Sequence, residues 1–159
     1  MQDIRVGFGY DVHRLAPGRP CVLGGVTIPH AKGPLGHSDA DVLIHAICDA
    51  LLGAANLRDI GFHFPDTSAE FKNADSRELL KKVNALVEAN GFRIMNVDST
   101  LVLEQPKINP HIERMQEALS SCMNLDASRI SIKATTNERL GYVGREEGVC
   151  AYAVALIAR

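Results

Sequence analysis

Residues 38–57 have the sequence SDADVLIHAICDALLGAANL, which is apolar nearly throughout except for one polar stripe. Ser38 and Asp41, three residues apart, predict a helix start, because their side-chain oxygens accept hydrogen bonds from the free N–H groups of a first turn. The stripe consists of Asp41, His45 and Asp49, and their i, i+4, i+8 spacing places them on one helix face. A carboxylate on that face can hold one imidazole nitrogen while the other nitrogen binds a metal ion. We therefore predict that His45 is a metal ligand supported by Asp49 or Asp41, in a helix that continues to the end of the stretch.

Hydrophobic periodicity and turn residues on both sides of this stretch predict the other elements. The pair Gly24-Gly25 predicts a tight hairpin, and the first strand is expected to end in a loop near Asp11. The expected strands cover 4–10, 92–104, 130–136 and 149–158, the hairpin covers 21–28, and further helices cover 75–90 and 112–124. This order predicts an α/β fold (an α+β sandwich) in a single domain over 1–159, with one mixed sheet and helices on one face.

Length, charge and composition exclude several classes of protein. The chain has 159 residues, about one ordinary domain, and its 46% of hydrophobic residues is too high for a disordered chain. Seventeen Lys and Arg against nineteen Asp and Glu give a net charge of −2, which argues against nucleic-acid or membrane-surface binding through bulk charge. Charged residues interrupt the first twenty positions, so we expect a cytoplasmic protein, or a plastid protein after removal of a transit peptide. Four widely spaced cysteines are expected to be buried, reduced thiols: Cys21, Cys48, Cys122 and Cys150.

Asp11 and His13 stand two residues apart at the end of the first predicted strand, where side chains at i and i+2 project to the same side. With His45 they form a set of one carboxylate and two imidazoles. Such a set leaves the fourth tetrahedral position open, as catalytic zinc requires, and imidazole favours zinc over magnesium. A simpler interpretation stays open, because an isolated Asp-x-His pair is a weak signal and a histidine in an apolar helix is more often a core residue.

Polar residues in loops give weaker indications of phosphate binding. His37 and Ser38 precede the helix, where free N–H groups and the helix dipole favour an anion. A helix cap alone also explains Ser38, and an exposed loop explains His37. The segment KATTNE at 133–138 ends a predicted strand with hydroxyls, an amide and a carboxylate, which suit phosphate and Mg²⁺ or an ordinary turn.

Short motifs occur in a fixed order along nearly the whole chain. They are GYDVH at 9–13, LGHSDADV at 35–42 followed by His45, GAA at 53–55, DIG at 59–61, FPDT at 64–67, ADSR at 74–77, NVD at 96–98, QPK at 105–107, KATT at 133–136 and GR at 144–145. In this combination the chain resembles the 2-C-methyl-D-erythritol 2,4-cyclodiphosphate synthases of the non-mevalonate isoprenoid pathway. So many motifs at compatible spacing are more specific than any one of them.

The resemblance implies a homotrimer whose sheets pack around a central cavity on the threefold axis, with each active site between neighbouring subunits. It implies that Asp11, His13 and His45 bind Zn²⁺. It also implies that Glu138 helps to hold a second divalent cation, Mg²⁺ or Mn²⁺, between two phosphates. The substrate would be a small nucleotide, with no nucleic acid and no membrane involved.

The reaction implied by the resemblance is intramolecular. The 2-phosphate of 4-diphosphocytidyl-2-C-methyl-D-erythritol 2-phosphate attacks the β-phosphorus, which gives the cyclic diphosphate and CMP. His37 and Thr136 would steady the transition state. The methylerythritol phosphate side of the site would comprise Asp11, Val12, His13, His37, Ser38, Asp59, Ile60, Gly61, Phe64, Pro65, Asp66, Thr67 and Ser68. The cytidine side, from a neighbouring subunit, would comprise Leu103, Glu104, Gln105, Pro106, Lys107, Ile108, Asn109, Thr135, Thr136, Asn137 and Glu138.

Tyr142 and Arg145 would stand near the mouth of the central cavity, where some relatives accept an isoprenoid diphosphate. The sequence departs from the common family pattern at three positions: Asn137 replaces a threonine, Ser68 an aspartate and Tyr142 a phenylalanine. Two other functions stay open. One is a nucleotide hydrolase in which the metal activates water, and the other is a non-catalytic trimer that senses isoprenoid diphosphates. Product analysis separates the first from a synthase, and the intact set of metal ligands argues against the second.

Overall fold

The computed structural model describes residues 3–159, which form a mixed sheet, a hairpin and a layer of helices. The strands are β1 (Ile4–Pro17), β2 (Cys21–Leu23), β3 (Val26–Ile28), β4 (Lys32–Leu35), β5 (Arg93–Val102), β6 (Ile130–Thr135) and β7 (Gly148–Ala158). The α-helices are α1 (Val42–Ala54), α2 (Ile60–His63), α3 (Ser76–Ala89), α4 (Ile112–Met123) and α5 (Gly141–Gly144). Single 3₁₀ turns cover Ala69–Phe71, Asn109–His111 and Ala127–Arg129.

Five of the strands form one sheet in the order β4-β1-β7-β5-β6, and β2 and β3 form a separate hairpin. Strands β5 and β6 run parallel, and the other neighbours in the sheet are antiparallel. The chain between the two parallel strands includes α4, the helical crossover that a parallel pair needs. The prediction of a mixed sheet with helices is therefore confirmed.

The backbone of helix α1 packs directly against the backbone of β1. Gly7 and Gly9 lie on the face of β1 that meets α1, and a methyl group on either would overlap the carbonyl oxygen of Ala50 or Ala46. On its other side α1 packs against α3 and the β2–β3 hairpin. Because α1 is covered on several sides, its apolar residues surround the helix instead of forming one stripe. The core also takes in the four cysteines, which are buried and free as the sequence predicts.

Strand β1 is longer than the sequence predicts. It continues past Asp11 to Pro17, because Arg14–Pro17 pairs with the short strand β4 at Lys32–Leu35. Along its other edge, β1 pairs with β7 as far as Arg14, which lies opposite Gly148. The expected loop after Asp11 is wrong, and Asp11 and His13 stay in extended backbone with side chains on the same side.

Helix α1 begins later than predicted. Asp41, not Ser38, is its N-cap, with Asp41 Oδ1 accepting a hydrogen bond from Ile44 N at 3.1 Å. The same carboxylate accepts the N–H groups of Gly24 and Gly25 in the hairpin turn, at 2.9 and 2.6 Å. Ser38 Oγ accepts from Ala40 N at 3.1 Å in the turn before the helix. Asp41 thus joins the helix start to the hairpin, a contact that local sequence does not indicate.

The face of the sheet away from α1 is apolar and exposed. Alternate side chains of β1 and β7 project there, and their exposure reaches 68% at Val6 and 64% at Phe8. The exposed apolar face comprises Ile4, Val6, Phe8, Tyr10, Val12, Tyr152 and Val154. Exposed apolar surface of this extent is typical of sites that bind another protein, a membrane or a ligand. Among the described residues, no helix combines the length and apolarity that crossing a membrane would require.

Candidate metal centre and active site

Asp11, His13 and His45 converge as the sequence predicts. Strand β1 supplies the first two and α1 supplies the third. Asp11 Oδ2 lies 3.0 Å from His13 Nε2 and 3.0 Å from His45 Nδ1, and the two ring nitrogens are 3.2 Å apart. The three side chains are 12–26% exposed, so the cluster is largely buried but still accessible to solvent.

The outer nitrogen of each imidazole has its own partner. His13 Nδ1 donates to the carbonyl oxygen of Leu35, the last residue of β4, at 3.1 Å, which leaves Nε2 to face the cluster. His45 Nε2 lies 3.0 Å from Ser76 Oγ and 3.3 Å from Ser38 Oγ, which leaves Nδ1 to face the cluster. Such partners orient metal-binding imidazoles.

The predicted support of His45 by Asp41 or Asp49 is wrong. Asp41 accepts the hairpin and helix N–H groups, and Asp49 Oδ1 accepts from Ile60 N at 2.7 Å. Ser76, at the start of α3, takes the place that the sequence assigned to a carboxylate. The sequence showed Ser76 only as part of a helix start, because its contact with His45 spans 31 positions.

The electrostatics of the cluster fit a divalent cation. Burial opposes ionisation of Asp11, but hydrogen bonds from His13 and His45 outweigh it and lower the pKa of the carboxyl to about 2. Burial also opposes the charged form of His45, yet the contact with Asp11 raises the pKa of this imidazole. Three ligand atoms that face one another at about 3 Å need positive charge between them, from protons or from a metal ion. One carboxylate and two imidazoles are a donor set for such an ion.

A cavity of about 520 Å³ opens beside the cluster. Many residues predicted for the methylerythritol phosphate side line it: His13, His37, Ser38, Ile60, Gly61, Phe64, Pro65, Asp66 and Thr67. His45, Gly36, Phe71 and Leu79 complete the wall. Two other predicted residues have local structural contacts. Asp59 Oδ1 caps α2 by accepting from Phe62 N at 2.9 Å, and the carbonyl oxygen of Ser68 accepts from His37 Nε2 at 2.9 Å.

A second cavity, of about 450 Å³, holds much of the predicted cytidine side. Its walls are Leu103, Glu104, Pro106, Lys107, Ile108, Asn109, Pro110, Ala134, Thr135 and Thr136. Gln105 instead lines a smaller cavity with Glu104, Arg139, Gly144 and Glu146. The 450 Å³ and 520 Å³ cavities share no lining residue. The predicted site residues therefore fall into two separate groups within one chain.

Glu138 and its neighbours form an exposed loop after β6. Glu138 and Arg139 have φ of 50° and 62°, a left-handed conformation that needs outside support. Glu104 Oε1 supplies it by accepting from Asn137 N at 3.0 Å and from Arg139 N at 3.1 Å. Thr136 Oγ1 contacts Glu138 Oε1 at 3.4 Å. The predicted substrate residue Glu104 thus also shapes the loop that presents Thr136 and Glu138.

Tyr142 and Arg145 border a third cavity, of about 730 Å³, together with Val12 and His13. Arg145 Nε pairs with Glu147 Oε1 at 3.0 Å, and both side chains are more than half exposed. Tyr142 Oη lies 3.3 Å from Tyr10 Oη, on the exposed apolar face.

Known proteins are similar to this chain in sequence and in fold. Residues 4–158 match the YgbB family. A 2-C-methyl-D-erythritol 2,4-cyclodiphosphate synthase from Cytophaga hutchinsonii is 65% identical over 156 residues, which are 98% of this chain and 98% of that relative. The synthase from Bacteroides thetaiotaomicron is 59% identical over the same share of both chains.

Solved structures agree with these relatives. The bifunctional IspDF from Campylobacter jejuni superposes with a TM-score of 0.96 at 42% identity, over 99% of this chain and 43% of that longer chain. A 2C-methyl-D-erythritol-2,4-cyclodiphosphate synthase in a CDP-bound form superposes with a TM-score of 0.89 at 40% identity, over 96% of this chain and 99% of that one. The CDP complex of IspF from Plasmodium falciparum superposes with a TM-score of 0.85 at 33% identity, over 97% of this chain and 95% of that one. The chain therefore belongs to the YgbB family, whose relatives here are 2-C-methyl-D-erythritol 2,4-cyclodiphosphate synthases.

Proposed function

We propose that this chain converts 4-diphosphocytidyl-2-C-methyl-D-erythritol 2-phosphate to 2-C-methyl-D-erythritol 2,4-cyclodiphosphate and CMP. The observation that carries the proposal is the cluster of Asp11, His13 and His45 beside the 520 Å³ cavity, in a chain 65% identical to a synthase of that name. The family match over 4–158 supports one synthase domain over 1–159. A cytoplasmic location stays a prediction.

The metal in this proposal is Zn²⁺, held by Asp11, His13 and His45, with Mg²⁺ or Mn²⁺ held in part by Glu138. Two neutral imidazoles and one carboxylate leave a zinc site with a formal charge of about +1, which draws phosphate oxygens and offsets their charge. The imidazole preference for zinc over magnesium supports this assignment, and oxygen ligands such as Glu138 suit the harder cation.

The work left to the protein is positioning, because the nucleophile and the electrophile belong to the same substrate. Correct orientation of an intramolecular attack is worth about 7–11 kcal/mol, and phosphoryl transfer needs little more than alignment and charge stabilisation. His37 and Ser38 line the cavity next to the metal ligands and can bind phosphate oxygens there. Thr136, from the other group, would bind the transferred phosphoryl group opposite them.

Each complete active site in this proposal forms between two copies of the chain in a homotrimer. Two observations support it. The methylerythritol phosphate and cytidine residues line separate cavities within one chain. The exposed apolar face of β1 and β7 is the kind of surface that another subunit covers. Two of the matched structures bind CDP, which supports a cytidine nucleotide in the 450 Å³ cavity.

The departures from the family pattern fit this proposal at the level of local structure. Asn137 Nδ2 donates to Leu140 O at 2.8 Å and so helps to close the loop that carries Glu138. Ser68 Oγ accepts from Glu70 N at 3.3 Å in a single 3₁₀ turn. Tyr142 places its hydroxyl beside that of Tyr10.

The proposal includes an isoprenoid diphosphate site at the threefold axis, with Arg145 binding the diphosphate. Arg145 lies 61% exposed beside a 730 Å³ cavity and is now paired with Glu147. Replacing Arg145 with Ala is expected to weaken farnesyl diphosphate binding, measured by calorimetry. Unchanged affinity would remove this part of the proposal.

The test is phosphorus NMR of the purified protein with its substrate and Mg²⁺, with and without zinc removal by a chelator. Appearance of the cyclic diphosphate together with CMP, lost on zinc removal and restored by zinc, is the expected result. A linear product with CMP would indicate a hydrolase. No turnover by folded, zinc-loaded protein would indicate a module that binds ligands without catalysis.

A further inference from the structure

The starts of α1 and α3 meet beside His45 at a pair of polar side chains, Ser76 and Asp39. Ser76 is fully buried at the first position of α3. Its backbone N–H donates to Asp39 Oδ2 at 3.0 Å, and its hydroxyl donates to Asp39 Oδ1. Asp39 also accepts from Asp41 N at 3.2 Å, so its carboxylate is fixed by the turn that leads into α1.

These contacts determine where the protons lie. Both Asp39 oxygens already accept backbone N–H groups, so the Ser76 hydroxyl proton points to Asp39. A hydroxyl whose proton is committed in this way has only its lone pairs left for His45 Nε2, 3.0 Å away. His45 must therefore carry a proton on Nε2, and Nδ1, which faces Asp11 at 3.0 Å, is the nitrogen that can give up its proton to bind a metal ion.

We propose that Ser76 and Asp39 are positioning residues that hold the Nε2 proton of His45 and thereby select Nδ1 as the metal-binding atom. The inference rests on the proposed metal site and adds to it two residues that touch neither metal nor substrate. Partners of this kind orient a metal-binding imidazole and make it a better donor, and their loss costs about 10- to 100-fold in metal affinity.

Ser38 is the other hydroxyl near His45 Nε2, and the geometry favours Ser76 over it. Ser38 Oγ is 3.3 Å from Nε2, against 3.0 Å for Ser76. Ser38 Oγ also accepts the N–H of Ala40, and among residues 3–159 no carboxylate accepts a hydrogen bond from the Ser38 hydroxyl. Ser38 can partly replace Ser76 in a variant, which sets the expected effect at the lower end of the range.

The first measurement is zinc affinity, by competition with a chromophoric chelator. The Ser76→Ala variant is expected to bind Zn²⁺ about 10-fold more weakly than the wild type. Asp39→Asn keeps one oxygen for the Ser76 hydroxyl but places an NH₂ group against the Ser76 backbone N–H, so its zinc affinity is also expected to fall. Ser76→Thr keeps a hydroxyl and is expected to retain most of the affinity. The matched control is Ser99→Ala, which removes another buried hydroxyl. Ser99 lies on β5 and donates to the carbonyl oxygen of Ser131 on β6 at 2.9 Å.

The second measurement is the Nε2 proton of His45 in ¹H–¹⁵N spectra of histidine-labelled protein. The signal is expected to be sharp and protected from water in the wild type and in Ser99→Ala, and broadened by exchange in Ser76→Ala. It is recorded after zinc loading and also without metal at about pH 5.5, below the ordinary imidazole pKa, where both ring nitrogens carry protons.

The two readouts separate failure of the inference from failure of the proposed function. Equal zinc affinity and an equally protected proton in Ser76→Ala and the wild type would overturn the inference and leave the proposed function intact. A wild type that binds no zinc would overturn the proposed metal site, and the metal-free spectra would still decide whether Ser76 holds the proton.

Discussion

The metal cluster and the loop around Glu138 are built in different ways. The cluster lies between β1, α1 and α3, and each of its side chains has a partner from a different element. The loop is exposed and follows the last residue of the edge strand β6. It is held in its left-handed turn by its own short-range hydrogen bonds and by the carboxylate of Glu104. One chain thus brings together all three candidate metal ligands by its own packing, whereas the loop presents residues outward. Under the proposed function, a neighbouring copy uses what the loop presents.

The largest effect should follow from breaking the cluster. His45→Ala removes one of three ligands, so we expect loss of bound zinc and a fall in turnover of about 1,000-fold or more. A metal ion is worth several kcal/mol of charge stabilisation, and about 4 kcal/mol corresponds to that factor. Metal content by mass spectrometry and CMP release are the measurements. Bound zinc with full activity in this variant would contradict the assignment.

Co-expression of two inactive variants tests whether the two regions come from different subunits. His45→Ala damages only the cluster, and Thr136→Ala damages only the loop. In randomly mixed trimers, about a quarter of the interfaces join an intact cluster to an intact loop, so activity should recover to roughly a quarter of the wild-type value. Each variant expressed alone is the control. If each site were contained within one subunit, the co-expressed protein would be no more active than either variant expressed alone.

The packing beneath the cluster is the next target. Gly9→Ala places a methyl group against the carbonyl oxygen of Ala46, and we expect a loss of about 3 kcal/mol in the free energy of unfolding. Gly53→Ala is the matched control, because Gly53 lies in α1 with open space around it and should gain up to about 1 kcal/mol. Urea denaturation measures both. Equal stabilities would show that α1 and β1 are not in backbone contact.

Damage to the loop should leave the cluster unchanged. Glu104→Ala removes the acceptor of the Asn137 and Arg139 N–H groups, so Thr136 and Glu138 lose their fixed position. We expect kcat/KM to fall by about 10- to 100-fold, the range that small displacements of catalytic groups cause, with zinc affinity unchanged. Glu104→Gln keeps an oxygen acceptor, so its kcat/KM should fall less than that of Glu104→Ala. A drop in zinc affinity would mean that the two regions are coupled within the chain.

The smallest effect concerns pH. Burial raises the pKa of Asp41 to about 6, against hydrogen bonds from Gly25, Ile44 and Gly24 that favour the ionised form. Between the ordinary carboxyl pKa and about 6, the folded chain binds a proton that the unfolded chain does not. Stability of the wild type relative to Asp41→Asn should therefore rise as pH falls from about 6 to 4, by on the order of 1 to 3 kcal/mol. If the free energies of unfolding of the wild type and Asp41→Asn changed equally with pH, Asp41 would not titrate in this range.

The sequence predicts the parts of this structure that depend on neighbours within one element. The predicted helices at 75–90 and 112–124 match α3 and α4 closely, and the Asp11–His13 spacing was sufficient to pair those ligands. Local patterns failed where the partner is distant along the chain. Strand β1 continues because β4 lies beside it, and Asp41 turns to the hairpin because two N–H groups there are free.

The polar stripe on α1 shows the same limit at the site. The sequence predicts that Asp41 or Asp49 supports His45 from the same helix face, but α1 is covered on several sides. Asp41, His45 and Asp49 each meet a different element, and the partner of His45 is the serine at the start of α3. Periodicity tells which residues share a face of a helix, and it does not tell what covers each turn of that face.

The contact of α1 with Gly7 and Gly9 also bears on how this site tolerates mutation. Where two elements meet through side chains, a change in side-chain volume shifts one element against the other. Here backbone meets backbone, and the candidate metal ligands lie within a few residues of that contact on both elements. Ligand spacing is thus independent of the size of most core side chains. Substitutions elsewhere in the core can alter how stable the chain is while the geometry offered to the cation stays the same.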